Sequence, residues 1–322
     1  MRKFANAIFI LIFAASFCGC STPSSSKTVV LVTDQQGTND HSYSQIASEA
    51  IKKISPEHSW QTKTIVPTSS VGYIESLSKA AEAATAFVLA SSPMLENACA
   101  LTALSYPDVC FVLIDAAADL NMDGIQDAPN IYSALFAHDE MGYIAGYAAG
   151  LKTQGFAGFI SEEDSPACKE YEAGFVAGAK AANPEAEPII VYLQPGRTSA
   201  ATIAEIEGLA GLGIDIAFSI VEKQEYVSAL SKTPLQLITV STLTPQPANR
   251  VMSVCKEYGN AISIIANDYA NGRFIGQMRV FSAREKCISF ISVDDAFMSQ
   301  SLLAKLNEMA KTLGTFDIPI TD

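Results

Sequence analysis

Motifs on which catalysis and nucleotide binding depend are scarce in this sequence. The 322 residues contain only three histidines. They contain no GxSxG nucleophile elbow, no GxxxxGK[ST] phosphate loop and no GxGxxG turn after the first predicted strand. A Ser/His/Asp set could be drawn from Ser42, His41 and Asp34, but adjacent side chains point apart, so the three groups would not align. We therefore expect that the protein is not an enzyme.

Positive charge is also in short supply. Lys and Arg together number 21 against 34 Asp and Glu, which gives a net charge of −13. Because nucleic acids and anionic membrane surfaces attract basic proteins, this balance excludes nucleic acid as an expected partner and argues against a basic membrane-docking face. It does not identify a ligand.

Cysteine pairs of the kind that bind zinc or exchange disulfides are missing. Beyond Cys18 and Cys20, five cysteines remain, and they are widely spaced without a CxxC pair. Most of them lie inside apolar runs, so the sequence predicts buried free thiols.

Long apolar runs are absent except at the start of the chain. There, MRKFANAIFILIFAASFCGC has the basic start and apolar centre of a secretory signal, and FCGC followed by STPSSSK is similar to a bacterial lipobox with its tether. We predict a lipoprotein signal peptide over residues 1–20, a lipid on Cys20 and a flexible tether over 21–27. An ordinary signal cut near Gly19 is the alternative. We expect a soluble domain outside the cytoplasm, in the cell envelope, that the lipid on Cys20 anchors to a membrane.

Short apolar runs alternate with amphipathic stretches along the rest of the chain. TVVLVT, VCFVLID and FAGFIS are typical of the runs, and SQIASEAIKKI and HDEMGYIAGYAAGLK have helical spacing. Runs that are apolar on both faces and separated by helices indicate parallel sheets covered on both sides. Because about ten such units are too many for one sheet, the sequence predicts an α/β fold with two doubly wound parallel sheets.

The two predicted sheets should enclose a cleft. No Pro/Gly/Ser-rich linker separates them, so we expect the chain to cross between two lobes, with one crossing in AHDEMG, and the lobes to form a hinged cleft. Asp34 follows the run VVLVT, and Asp115 follows CFVLI. Since ligands of such sheets meet the residues just beyond the carboxyl ends of the strands, both carboxylates are candidate ligand groups.

The order of several blocks carries a family resemblance. VVLVTDQQGTNDHSYSQIASEAIKK resembles the opening of the basic membrane protein family of substrate-binding lipoproteins, and YPDVCFVLID, YEAGFVAGAK and RVMSVCKEYGNAI match later family blocks in order. The resemblance implies a type I periplasmic-binding-protein fold that serves the permease of an ABC importer, in a family whose best-understood branch binds purine nucleosides. It also implies an N-terminal lobe of residues 28–137 and 256–283 and a C-terminal lobe of residues 138–255 and 284–322.

The resemblance implies six ligand-binding residues, which are Asp34, Asn39, Asp40, Tyr43, Asp115 and Lys256. Asp34 matches a carboxylate that hydrogen-bonds the base, and Tyr43 stands where the family has a stacking Phe. Asp115 matches a carboxylate for ribose hydroxyls, which is a charge-assisted contact, and Lys256 matches a lysine at the back of the cleft. The implied ligand is a small, nucleoside-like molecule.

Six positions depart from the family pattern, namely Ser44, Gly196, Arg197, Glu222, Lys223 and Ser241. Gly196 and Arg197 take the place of a second stacking Phe, and Ser241 takes that of a ribose-binding Asp. The N-terminal lobe therefore matches a nucleoside site better than the C-terminal lobe does. The alternative is a diverged surface lipoprotein of the same fold that binds another ligand, with Arg197 contacting a carboxylate or phosphate, or that binds none tightly.

Each candidate also has a purely structural interpretation. Asp34 could form an Asx turn, and Ser42 could cap a helix that begins near Tyr43. Asp115 could pair with a lysine on a neighbouring helix, and Lys256 could be the solvated start of a helix. The sequence alone leaves these alternatives open.

The stretch DLNMDGIQD, which follows the Asp115 strand, has the spacing of a calcium loop. Its oxygen ligands would be Asp119, Asn121, Asp123, the Ile125 carbonyl and Asp127. Asn130 stands where an EF-hand has a bidentate Glu, so a full EF-hand is not predicted. The loop is a candidate site for a structural calcium ion, with a polar surface loop as the alternative. No cofactor is expected to be required.

Glycines recur every four residues in EMGYIAGYAAG, at positions 142, 146 and 150. This spacing places them on one face of a helix. We expect that face to lie unusually close to a neighbouring strand or helix.

Overall fold

The computed structural model describes residues 26–38, 42–121, 123–162, 165–193, 198–241, 246–314 and 318. The strands are β1 (Thr28–Val32), β2 (Gln61–Ile65), β3 (Phe87–Ala90), β4 (Cys110–Ile114), β5 (Ile131–Phe136), β6 (Phe156–Ser161), β7 (Ile189–Tyr192), β8 (Ile214–Ser219), β9 (Gln236–Val240), β10 (Arg250–Lys256), β11 (Gln277–Phe281) and β12 (Ile288–Ser292). The helices are α1 (Tyr43–Ile54), α2 (Tyr73–Ala83), α3 (Glu96–Ser105), α4 (His138–Lys152), α5 (Pro166–Ala182), α6 (Ser199–Gly208), α7 (Gln224–Leu230), α8 (Tyr258–Ala270) and α9 (Gln300–Ala310). Within these described ranges, no helix has both the length and the apolar character needed to cross a membrane.

The strands form two six-stranded sheets. The first sheet has the order β11-β5-β4-β3-β1-β2, and every neighbouring pair in it is parallel. The second sheet has the order β12-β10-β9-β8-β6-β7 and is parallel except for the edge strand β12, which runs antiparallel to β10. The prediction of an α/β fold with two parallel sheets is therefore confirmed.

The chain passes between the two sheets three times. It leaves the first sheet after β5 through α4, returns after β10 through α8, and leaves again between β11 and β12. The first of these crossings is the one expected in AHDEMG. The exact limits of the two lobes remain a prediction.

Three apolar clusters hold the sheets and helices together. The largest runs between the sheets and includes Leu31 of β1, Met141 of α4 and Phe218 of β8. Two smaller clusters cover the outer faces, one under α2 and α3 and the other under α6 and α7. Both faces of the central strands are thus buried, and for this reason their sequences read as continuous apolar runs.

The described cysteines are free thiols, as predicted. Cys99, Cys168, Cys255 and Cys287 are buried, and Cys110 is half-buried. Burial raises the pKa of the Cys99 thiol to about 12, and burial together with the nearby Glu285 does the same for Cys287. These two thiols therefore stay protonated and unreactive at neutral pH.

The glycine face of α4 lies directly against α5. A Cβ atom added to Gly146 would stand 2.0 Å from the carbonyl oxygen of Phe175, and one added to Gly142 would stand 2.2 Å from that of Tyr171. The contact is reciprocal, because a Cβ on Gly178 of α5 would come within 2.1 Å of the Tyr143 carbonyl oxygen. The two helices meet backbone to backbone, which confirms the expected close approach.

One strand and three helices were not predicted from the sequence. The edge strand β11 places Gln277 and Arg279 among apolar residues and is only partly buried, so it lacks the continuous apolar run of a central strand. Helices α2, α7 and α9 were also missed. In α9, only Leu302, Leu306 and Met309 are buried, a stripe too narrow to stand out in the sequence.

Candidate functional site

A cavity of about 410 Å³ lies between the two sheets. Its walls come from the carboxyl ends of β4, β6, β8, β9 and β10 and from the first turns of α1, α4 and α5. Open α/β sheets bind ligands at this end of their strands. A cavity in this size range is large enough to enclose a small molecule.

An ion pair bridges the two sheets at this cavity. Lys256 Nζ lies 2.9 Å from Oδ1 and 2.7 Å from Oδ2 of Asp115, and the Tyr258 hydroxyl donates to the same Oδ2 at 2.9 Å. The lysine and aspartate side chains are only 8% and 6% exposed. Asp115 follows β4 of the first sheet, and Lys256 ends β10 of the second. Asp115 thus pairs with a lysine, as its structural alternative proposed, but that lysine ends strand β10, is not on a neighbouring helix, and is itself a predicted site residue.

The backbone of Asp115 adopts an unusual conformation. Its φ is +61°, in the left-handed region that few residues other than glycine occupy. Its amide donates to the Ala134 carbonyl oxygen at 2.8 Å, which ties the turn to β5. Such conformations cost roughly 1–3 kcal/mol and persist where the surroundings enforce them, often at functional sites.

Tyr43 reaches the cavity from the first turn of α1. Ser42 caps this helix by accepting a hydrogen bond from the Gln45 amide at 3.0 Å, as the structural alternative for Ser42 proposed. The Tyr43 ring is half-buried and leans on Tyr258, with 5.5 Å between ring centroids and 35° between ring planes. Tyr258 is fully buried and meets Phe136 edge-on at 4.9 Å. Contact with this buried ring therefore fixes the orientation of the Tyr43 ring.

Asp34 holds a turn at the end of β1. Its Oδ1 accepts the Gln36 amide at 2.9 Å, and its carbonyl oxygen accepts the Gly37 amide at 3.1 Å. This is the Asx turn of the structural alternative, and Asp34 is not among the residues that line the cavity. Ser44 is buried and bonds Ser91 Oγ at 2.8 Å, so it supports the loop from behind.

Several predicted residues lie outside the described part of the chain. They are Cys20, Asn39, Asp40, His41, Gly196 and Arg197. Their assigned roles remain predictions.

The second sheet contributes two carboxylates to the cavity wall. Glu162 Oε1 accepts the backbone amide of Glu222 at 2.6 Å and also that of Lys223. Both Glu162 and Glu222 line the cavity, whereas Lys223 and Ser241 do not. Lys223 instead pairs with Glu225 at 2.5 Å. The backbone amides of Glu222 and Lys223 are therefore both bound by a side chain of this protein.

Sequence reasoning missed other cavity residues, among them His138 and Tyr171. Their rings stack with 4.5 Å between centroids and 26° between planes, and His138 Nδ1 lies 3.1 Å from Glu170 Oε2. Burial, reinforced by the negative charge of Asp115, raises the pKa of the Tyr171 phenol well above its usual value. His138 stands two residues beyond the end of β5, so the rule that singled out Asp115 would also have found it.

The candidate calcium loop is held by hydrogen bonds of its own. Asp119 accepts the amides of Asp123 and Gly124 at 3.2 and 2.8 Å, and Asp127 accepts the Leu120 amide at 2.6 Å. Asn121 Oδ1 accepts the Asp123 amide at 3.0 Å. Over the described ranges, no cluster of three or more His, Cys, Asp or Glu residues suits a metal ion. The calcium site remains a prediction without geometric support.

Comparison with protein families gives one match that spans nearly the whole chain. Residues 27–320 match the family described as ABC transporter substrate-binding protein, PnrA-like.

Curated relatives from several bacteria match the chain at low sequence identity. The chain is 26% identical to an ABC transporter nucleoside-binding protein, BmpA, of Lactococcus lactis over 67% of this chain and 64% of the relative. It is 27% identical to a CD4+ T-cell-stimulating antigen of Listeria monocytogenes over 59% of this chain and 57% of that protein. These matches thus cover less than two thirds of either relative. Basic membrane protein A of Borreliella burgdorferi is 24% identical, with 89% of this chain and 87% of the relative covered.

Solved structures share the fold at low sequence identity. An ABC transporter solute-binding protein from Conexibacter woesei superposes with a TM-score of 0.70 at 17% identity, covering 91% of this chain and 99% of the other. A transcriptional activator of the comK gene from Bacillus halodurans gives 0.67 at 15% identity, with 88% and 96% covered. At such identities the likeness concerns the fold alone.

Proposed function

Because this chain belongs to the PnrA-like family of ABC transporter substrate-binding proteins, we propose that it binds a small, nucleoside-like ligand in the cavity between its sheets. The family and the fold are those of solute-binding proteins and not of enzymes. The observation that carries the proposal is that Tyr43, Asp115 and Lys256, from three separate elements, line one cavity. The name of the Lactococcus relative supports a nucleoside as the ligand class.

The chemistry of these groups suits a ring that carries hydroxyls. The Tyr43 ring offers a flat apolar face for a base. An ionised carboxylate has about four lone-pair sites. In Asp115, two contacts to Lys256 and one to Tyr258 occupy three of them. One site is left to accept a ligand hydroxyl, and such a charge-assisted bond is strong and directional.

Binding would close the two lobes over the ligand. The three crossings between the sheets form a hinge, and the Asp115–Lys256 pair spans the gap beside it. Hinge closure around a ligand is a common motion of two-lobed binding proteins. In this proposal the lobes have the limits 28–137 with 256–283 and 138–255 with 284–322.

The proposed place of the protein is the outer face of a membrane, beside the permease of an ABC importer. A lipid on Cys20 and the tether of residues 21–27 would keep the domain within reach of that permease. Replacing Cys20 with alanine is expected to move the protein from the membrane fraction to the soluble fraction of lysed cells. Replacing Cys18 with alanine is the matched control and should leave the protein with the membranes. A Cys20→Ala protein that stays membrane-bound would contradict the anchor.

A thermal-shift screen tests the ligand. Adenosine, guanosine, cytidine and uridine are compared with ribose and with amino acids, each with and without calcium chloride. A ligand at about 100 times its Kd stabilises the folded state by about 2.7 kcal/mol, so at least one nucleoside is expected to raise Tm by several degrees. Tyr43→Leu, which removes the flat face, should reduce this shift, whereas Tyr106→Leu, at the far end of α3, should not.

Two results would overturn the ligand assignment. If no nucleoside raises Tm while a sugar or an amino acid does, the chain is the diverged member of the family that binds another ligand. If the nucleoside shift is the same in Tyr43→Leu and Tyr106→Leu, the cavity is not the binding site. Separately, the comparison of Tm with and without calcium chloride tests whether the loop of residues 119–127 binds that ion.

A further inference from the structure

His138 occupies a position in the cavity that none of the predicted ligand residues covers. It is the first residue of α4, the helix that carries the chain from the first sheet to the second. Its side chain is 19% exposed and lines the cavity. It also borders an adjoining cavity of about 370 Å³, so the imidazole forms part of the partition between the two spaces.

Two contacts hold the imidazole ring in place. One ring face is stacked on Tyr171, whose own side chain is only 7% exposed and is packed edge-on against Phe218 at 5.7 Å. One ring edge is bound through Nδ1 to Glu170 at 3.1 Å. A ring fixed at both a face and an edge loses little further rotational freedom when a ligand binds, which makes it a suitable recognition group.

The bond to Glu170 determines which nitrogen of the neutral ring carries the proton. An ionised carboxylate only accepts hydrogen bonds, so Nδ1 must donate. The other nitrogen, Nε2, is then left as an acceptor. Among the described residues, Glu170 is the only hydrogen-bonding partner of the ring, and it borders the adjoining cavity and not the main one. Nε2 therefore lies on a different edge of the ring from the nitrogen held by Glu170.

We infer that His138 contacts the ligand, with Nε2 accepting a hydrogen bond from a hydroxyl or amino group of that ligand. The inference rests on the proposed function in that it places the ligand in this cavity, but it holds for any ligand with such a donor. Tyr43 begins α1, which follows β1 of the first sheet, and Tyr171 lies on α5, which follows β6 of the second sheet, so each sheet is accompanied by an aromatic side chain at the cavity. Tyr171, with His138 stacked on it, thereby adds an aromatic ring from the half of the protein where the sequence departs from the family pattern.

The spectra of the histidine side chains provide a direct test, because the chain has only three histidines. In ¹⁵N-labelled protein at alkaline pH, where the imidazole is neutral, His138 should show a protonated Nδ1 and an unprotonated Nε2. Adding the compound that gives the largest thermal shift should move the Nε2 resonance of His138 in the direction of an accepted hydrogen bond. His58 lies just before β2 and contacts the Trp60 ring, at the opposite end of the first sheet from the cavity, so its resonances should stay in place.

Two matched variants test how much His138 contributes to the affinity for the ligand. His138→Phe keeps a flat ring on Tyr171 but removes both nitrogens, and it should weaken binding about tenfold, as expected when a buried donor of the ligand loses its partner. His58→Phe makes the same chemical change away from the cavity and should bind with unchanged Kd. The assignment of the His138 resonances follows from their absence in His138→Phe.

The outcomes separate this inference from the proposed function. A compound that raises Tm without moving the His138 resonances, and that binds His138→Phe as tightly as the natural protein, overturns the inference whatever its chemical class. A sugar or amino acid that raises Tm and moves the His138 resonances supports the inference while rejecting the nucleoside. At alkaline pH, a proton on Nε2 and not on Nδ1 in the protein without added compound would also overturn it.

Discussion

Replacing Asp115 with asparagine is expected to lower the free energy of unfolding by about 3 kcal/mol, near the lower end of the range for breaking a buried ion pair. The substitution keeps the shape of the side chain, and asparagine tolerates the positive φ of this position. It leaves the ammonium group of Lys256, which is 8% exposed, without its counter-charge. The cost arises mainly from that uncompensated charge and not from the lost hydrogen bonds alone.

Urea unfolding of matched variants measures this effect. Glu75→Gln breaks the exposed Glu75–Lys79 pair, whose side chains are 71% and 62% exposed, and it should leave the free energy of unfolding nearly unchanged. The double variant Asp115→Asn with Lys256→Met should be more stable than the sum of the two single changes predicts, because no unpaired charge remains. Equal losses from Asp115→Asn and Glu75→Gln would mean that the bridge between the sheets does not stabilise the fold.

A second large loss of stability is expected from Gly146→Ala in α4. The added methyl group would stand 2.0 Å from the Phe175 carbonyl oxygen, far inside van der Waals contact. Because the obstacle is the backbone of another helix, α4 and α5 must move apart and disturb the apolar cluster between the sheets. Overpacking of this kind typically costs about 1–3 kcal/mol, although alanine by itself favours a helix more than glycine does.

Gly208→Ala is the matched control for this change. Gly208 ends α6, and a Cβ atom there would meet no other atom within 4 Å. Urea unfolding of this variant should therefore show unchanged or slightly increased stability. If Gly146→Ala is as stable as Gly208→Ala, the close approach of α4 and α5 is not a requirement of the fold.

The structural features that were predicted correctly share a physical basis. A strand buried on both faces must be apolar throughout, so β1, β4 and β6 could be recognised from their own residues. Likewise, the spacing of Gly142, Gly146 and Gly150 is a property of one helix and needs no knowledge of its neighbour. The edge strand β11 was missed for the same reason, because exposure leaves it without a distinctive pattern.

The site was predictable only in part. Tyr43, Asp115 and Lys256 line the cavity, whereas Asp34 forms a turn at the end of β1, and the contact of Asp34 with the ligand stays a prediction. Glu162 accepts hydrogen bonds from two backbone amides beside the cavity. No motif in the sequence predicted this role. The Glu162 carboxylate meets the amide of Glu222 across 60 positions of the chain.

What the sequence determined by itself was therefore the α/β fold with two parallel sheets and the family to which the chain belongs. Both follow from the spacing of apolar residues and from the order of short blocks, which are recorded along the chain. The tertiary structure alone decided that Asp115 pairs with Lys256, 141 positions away, and that His138 stands on Tyr171 beside the same cavity. Such contacts depend on which strand ends the two sheets bring together, and packing between sheets leaves no periodic trace in the chain.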